Sequence, residues 1–329
     1  YQSLASNLIG DNNTALGYRA LEDFVADTDG HGGNTAVGSS SMSNLSTGTE
    51  NTAVGGLAMG TGVTTGIYNT AVGYGAGNQL TSGQYNVLVG GNAGTAITTG
   101  ESNVIIGLNA GDALVEGHDN VAIGQSALSS ENAHGRNTAI GHQTLSTLDA
   151  GANANNVAVG YHAGTLMTSG VQNTIIGSES GDAITSGDDN TSLGYFSLSA
   201  NTVGNNNIAI GVSALATNVA SDRNVAIGNN ALNAMTSAST VDSYNTAIGH
   251  AAGSAITSGV QNTLIGANVG VRITAGQKNT IIGEGADVAS GGGGTDNAIV
   301  IGHDAEALGA NTTVIGTATT TNAVVHGLR

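Results

Sequence analysis

The residues of this chain that could do chemistry are few and scattered. Cysteine is absent from the 329 residues, so a thiolate nucleophile, a soft metal centre and a disulfide framework all fall away. Eight histidines and twenty-three acidic residues remain as possible ligands, acids or bases. His142, His250 and His303 each directly follow a recurrent glycine, in the slot held elsewhere by Tyr18, Tyr74, Tyr161 and Tyr195. The same slot accepts Gln125 and Asn229, so it reads as an exposed position where Tyr or His could touch a glycan. On a trimer axis a histidine there could meet two copies of itself around an ion. The segment Glu22–Gly33 holds Asp23, Asp27, Asp29 and His31. Asp27-Thr28-Asp29-Gly30 matches part of a calcium loop, which makes Asp27 and Asp29 metal-ligand candidates. The complete loop needs a glutamate about six residues after its glycine. Ala36 stands there instead, so the segment reads as a solvated acidic loop.

Catalysis finds no foothold. Asp188, Asp189 and Glu101 lie in turn-like stretches without a shared slot, whereas a glycosidase needs a groove that fixes the separation of two carboxylates. A strand-turn-helix nucleophile elbow is missing, and the glycines do not follow phosphate-cradle spacing. Polysaccharide-cleaving sites hold sugars on aromatic rings, and this chain has two Phe and no Trp. The sequence therefore predicts no enzyme, no cofactor and no firm metal site. A formal net charge of −17 disfavours nucleic acid and anionic membrane surfaces as partners. No apolar run approaches the roughly 18 residues of a membrane-spanning helix.

The elements that would position any site are repeats. Fifty-three glycines, no proline and 3% aromatic residues do not describe an ordinary globular core, and β-branched residues recur too regularly for disorder. An Asn-Thr-Ala-Val-Gly phrase recurs with small changes eighteen times, closing at Gly17, Gly38, Gly55, and so on to Gly302 and Gly316. Eleven of the seventeen steps are 17 residues, and the last is 14. Such a period with rare insertions describes stacked coils with loops on one side. Typical units carry Asn69, Val72 and Gly73; Asn86, Val89 and Gly90; Asn173, Ile176 and Gly177. The asparagine column suits a turn and a ladder of stacked amides. The glycine column suits positive φ or a close backbone approach. A small residue three places after each glycine (Ala20, Ser41, Ala76, Thr144) reads as a second, tightly packed short strand. Four places after it usually stands either Gly or Leu/Met. Where it is Gly, an aliphatic residue follows three later, as in Gly94 and Ile97, so each coil receives an apolar plug.

The predicted fold is thus all-β, a parallel β-roll or β-solenoid of about eighteen short coils. An array of mostly 17-residue repeats covers 1–296, with five-unit blocks starting near 69, 156 and 245, and 297–329 form the end of the rod. The chain opens mid-repeat, which implies an upstream extension. Both faces of the Thr-Ala-Val strand avoid charge, whereas a strand with one wet face alternates. One face can pack inside the coil, and the other needs a partner. With the residue before each glycine and the residue three before it placed inside, the central residues Leu88, Ile105, Ile175, Leu264 and Ile281 become the face offered to partner chains. The expected assembly is a parallel homotrimer.

The units Asn-[Thr/Val]-[Ala/Ile]-[Val/Ile]-Gly resemble the head repeats of trimeric autotransporter adhesins, and the last unit, NAIVIGHDAEALGANTTVIG, has their 14-residue step. The 17-residue form with its Thr-Ser-Gly turns looks more like bacteriophage tail-fibre trunks. Those trunks end in a phrase similar to NTTVIGTATTTNAVVHGLR and precede an endosialidase-type intramolecular chaperone. The resemblance implies an extracellular structural shaft on a virion that projects a receptor-binding tip. The alternative it implies is a trimeric adhesin head on a bacterial surface. The partners it implies are two further copies of the chain and a cell-surface glycan or protein receptor. The spacers Glu22–Gly33, Thr144–Asn155 and Ala234–Tyr244 are the expected contact points.

Overall fold

The computed structural model describes residues 2–7, 10–25, 32–236 and 242–317. Among these residues there are strands and turns and no helix, and the architecture is a parallel β-solenoid. The chain divides into two units, Tyr1–Gln172 and Asn173–Arg329. The first contains β1 (Thr14–Leu16), β2 (Thr35–Val37), β3 (Thr52–Val54), β4 (Thr70–Val72), β5 (Val87–Val89), β6 (Val104–Ile106), β7 (Val121–Ile123), β8 (Thr138–Ile140) and β9 (Val157–Val159). The second contains β10 (Thr174–Ile176), β11 (Thr191–Leu193), β12 (Ile208–Ile210), β13 (Val225–Ile227), β14 (Thr246–Ile248), β15 (Thr263–Ile265), β16 (Thr280–Ile282), β17 (Asp287–Val288), β18 (Ile299–Ile301), β19 (Glu306–Ala307) and β20 (Thr313–Ile315). Within each unit the three-residue strands pair in parallel with equivalent residues side by side, as in Leu88 beside Ile105 and Val89 beside Ile106. The insertions do not disturb this register: β13 and β14 still pair Val225 with Thr246 and Ile227 with Ile248.

The strands are short because both ends are fixed chemically. At the start, the asparagine column is buried and forms a ladder. Asn86 donates its backbone N–H (3.0 Å) and its Nδ2 (3.1 Å) to Oδ1 of Asn69, and Nδ2 also donates to the Gly100 carbonyl at 2.8 Å. Asn103 repeats the pattern on Asn86. Each amide thus satisfies buried backbone groups of its own and neighbouring coils. The left-handed residue expected in this turn is not the asparagine but the one before it, such as Tyr85 (φ 60°) or Ser102 (φ 57°). At the strand's end the closing glycine needs both properties expected of it. Gly90 has φ 137°, and a Cβ there would sit 2.4 Å from the Gly107 carbonyl oxygen.

Among the described residues the expected second strand forms only in the β17–β19 pair. Elsewhere the segment after the glycine runs as a turn, because its second and fourth residues are left-handed, as at Ser126 (φ 53°) and Leu128 (φ 53°). Alternating left-handed residues curl the chain instead of extending it. Coil-to-coil backbone bonds persist there nonetheless, such as Leu128 N–H to the Thr144 carbonyl at 3.0 Å.

The core of most coils is built from the strand's central residue and the third, fourth and seventh residues after the glycine. Ala122, Ala127 and Leu128 in one coil and Leu88, Ala93 and Ile97 in another are fully buried. This corrects the expected face assignment. Leu88, Ile105, Ile175, Leu264 and Ile281 are 0% exposed inside their own coils, so they are not a surface offered to a partner. The bulk of Leu88, Ile105, Ile175 and Leu264 fits because glycine stands opposite. A Cβ on Gly94 would meet Leu88 Cδ2 at 2.8 Å, one on Gly111 would meet Ile105 Cδ1 at 3.2 Å, and one on Gly270 would meet Leu264 Cδ2 at 3.0 Å. Ser192, the polar exception at the centre, is also buried, and its hydroxyl donates to the Ser197 carbonyl at 2.9 Å.

Candidate functional site

With the strand centres turned inward, the residues on either side of them face out. In the first unit these form two columns, Thr14 to Val157 and Leu16 to Val159. In the second they run Thr174 to Thr313 and Ile176 to Ile315. No charged residue occupies either column. Val54 is 36% exposed, Val87 36%, Ile176 37%, Leu193 42% and Ile248 37%, each a β-branched or branched aliphatic side chain. Parallel pairing sets these side chains about 4.8 Å apart along the column. Each unit therefore presents a regular, uncharged sheet face, in which the Leu16–Val159 and Ile176–Ile315 columns are aliphatic and the other column mixes Thr with Val and Ile. Contiguous apolar surface of this kind marks an interaction site in soluble proteins.

The slot after the closing glycine is solvent-facing, as its variability suggested. Tyr18, Tyr74, Tyr161 and Tyr195 are all more than half exposed. Stacking adds order to part of this surface. His142 and Tyr161 stack across adjacent coils with centroids 5.5 Å apart, and His162 stacks on Tyr161 at 3.9 Å. Tyr68 and Tyr85, in the left-handed slot before the asparagine, stack at 5.8 Å. His303 lies exposed with Nδ1 3.2 Å from Asp304 Oδ2, a local contact without further ligands among the described residues. The calcium-ligand candidates Asp27 and Asp29 lie outside the described residues.

A group that could hold a metal lies elsewhere, at Glu131, His134 and Asp149, and the sequence reading passed over it. One donor atom from each lies within 4.8 Å of the others. Glu131 is fully buried, His134 is partly buried and Asp149 is exposed. Oε1 of Glu131 accepts the His134 backbone N–H at 3.2 Å and lies 3.3 Å from His134 Nδ1. Oε2 is buried without a hydrogen-bond partner. Loss of hydration pushes this carboxyl above the usual carboxylate range, against the opposing pull of His134. The legible signal was positional: Glu131 occupies the seventh place after Gly124, where neighbouring coils carry Leu114 and Leu148.

A second buried acid, Asp287, has a structural explanation. It accepts the Arg272 N–H at 3.1 Å, and the Arg272 guanidinium, which donates to the Val288 carbonyl at 2.8 Å and pairs with Glu306, clips the β17–β19 pair. Among the described residues no helix is long and apolar enough to cross a membrane. Neither a family model nor a curated protein matches the chain.

Proposed function

We propose that this chain is a structural, non-catalytic shaft, the rod of a homotrimeric extracellular attachment fibre of the bacteriophage tail-fibre type. The observation that carries the reading is the uncharged face along the strands, with its unbroken column of Val, Ile and Leu. In water such a face is costly to leave bare, at about 25 cal/mol per Å² of apolar area. Its ideal partner is a surface with the same spacing and the same absence of charge. A parallel copy of this chain offers both, layer against layer. Three copies arranged about an axis would each cover one face and leave the polar turns and tyrosines outside. A thin column with little core per layer would gain stability from that arrangement, because chain entropy weighs heavily on small cores.

The exposed aromatic stacks favour a second reading, a trimeric adhesin head that grips its target along its own length, since Tyr and His rings present flat apolar faces suited to sugars. The two readings separate in a binding experiment. The shaft reading expects the purified trimer to show no saturable retention on a glycan array and no adsorption to bacterial cells. Saturable retention of a defined glycan, lost in Tyr161→Ala, would replace the shaft with the adhesin head.

A further inference from the structure

The seventh place after the closing glycine is a core position in most coils, the described exceptions being Gly62, Ser290 and Gly309. Phe24, Leu45, Leu80, Ile97, Leu114, Leu148 and Met167 fill it in the first unit, and all are 0% exposed. Glu131 stands in this column, equally buried, between the layers of Leu114 and Leu148. A carboxylate in such a place must be compensated, because burying an unpaired charge costs several kcal/mol or forces protonation.

The fold has a way to satisfy a polar residue at this position without outside help. In the second unit Asn201 and Asn218 take the same slot. Asn201 donates Nδ2 to the Gly204 carbonyl at 2.9 Å and accepts the Gly204 N–H at 3.1 Å. Asn218 does the same with Ser221 and also donates to Asn201 Oδ1. Glu131 makes half of that closure. Its Oε1 takes the N–H three residues on, from His134, and its Oε2 has none. A protonated acid would donate from that oxygen, and no acceptor is in place for it. What faces the carboxyl group instead is the His134 ring and, from the next coil, the Asp149 carboxylate, with one donor atom of each within 4.8 Å. Bringing a second carboxylate beside a buried one is repulsive unless a cation lies between them.

We propose that Glu131, His134 and Asp149 form a binding site for a divalent transition-metal ion, with zinc as the ion that fits best. Two carboxylates balance a dication, and an imidazole selects zinc over manganese, calcium and magnesium, which prefer oxygen shells. The ligands come from two adjacent coils, Glu131 and His134 from one and Asp149 from the spacer at Thr144–Asn155, so the ion would staple that spacer to the rod. Asp149 is exposed, which leaves the open coordination positions to water. The site lies within one chain and does not depend on association.

Isothermal titration of the metal-free full chain with zinc chloride, and separately with manganese and magnesium chloride, tests the proposal. The expected result is one zinc ion bound per chain, weaker manganese binding and none for magnesium, with a rise in Tm on adding zinc. Glu131→Gln should weaken zinc by at least about tenfold. Glu131→Leu restores the residue type of the column and should fold at least as well as the parent while losing both the stoichiometric zinc and the Tm rise. Since Glu131→Leu keeps all eight histidines, any binding it retains is background from the surface. Equal zinc affinity and stoichiometry in Glu131→Leu, or no zinc binding by the parent chain, would overturn the site.

Discussion

The coils closing at Gly90 and Gly107 and the coils closing at Gly124 and Gly141 solve one packing problem in two ways. In the first pair the strand centre is large, Leu88 and Ile105, and the fourth residue after the glycine is Gly94 or Gly111. In the second pair the centre is small, Ala122 and Ala139, and the fourth residue is Leu128 or Leu145. The backbone does not change: Gly94 has φ 56° and Leu128 φ 53°. What moves is volume, from one wall of the coil to the other. The cross-section is therefore set by the backbone, the asparagine ladder and the closing glycines, and apolar volume comes from either wall or, where the centre is Ala71 and the fourth residue Gly77, from Leu88 of the next layer. The same exchange recurs in the second unit, with Ile175 and Gly181 in one coil and Ala209 and Leu215 in another.

The largest expected effect separates inside from outside. Ile175→Asp places a charge in a fully buried strand centre and should abolish folding, read as loss of the far-ultraviolet β signal, since the cost of several kcal/mol exceeds what a thin core can absorb. Ile176→Asp, one residue along and 37% exposed, should keep the spectrum and change the association state. The two recipes can then be interchanged. Leu88→Ala should cost about 2–5 kcal/mol and Gly94→Leu about 1–3 kcal/mol in denaturant unfolding. The double variant converts the coil to the Ala122–Leu128 recipe and should recover at least about 1 kcal/mol over the sum of the single changes. Additive losses would show that the exchange is not a shared-volume effect.

Asn103→Ala removes a rung common to both recipes. It strips a partner from the Asn120 N–H and Nδ2, which donate to its Oδ1 at 3.0 and 3.2 Å, and from the Gly117 carbonyl. A loss of about 1–3 kcal/mol is expected, measured by thermal or denaturant unfolding. The smallest effect is a gain. Ser102 is exposed and left-handed, and Ser102→Gly should stabilise by about 0.5 kcal/mol as strain relief outweighs the added freedom of the unfolded chain.

Much of this fold was legible in the sequence. The period, the buried asparagine ladder, the strained glycines and the small third residue all followed from columns of residues that only a stacked coil explains. The orientation of the strand was misread because its centre and its flanks are both aliphatic, so hydropathy does not tell them apart. The deciding signal was a correlation: Leu88, Ile105, Ile175 and Leu264 occur where Gly94, Gly111, Gly181 and Gly270 make room. Residues that exchange volume must share one core. The absent second strand was hidden because Ser126 and Leu128 hold left-handed conformations that such residues seldom adopt, and nothing in their identity announces it. Glu131 was visible only as an acid in an apolar column, and the neighbouring Asp149 came from a spacer whose path the repeat does not dictate.

The central claim is that the two outward columns are covered by further copies of the chain. Absolute mass by light scattering after size exclusion, run on the parent chain and on Ile176→Asp combined with Ile210→Asp, tests it most directly. The account predicts three times the 32.1 kDa chain mass for the parent and a folded species of lower mass for the variant. A parent chain that elutes as a 32.1 kDa monomer, or a variant that remains a trimer, would contradict it.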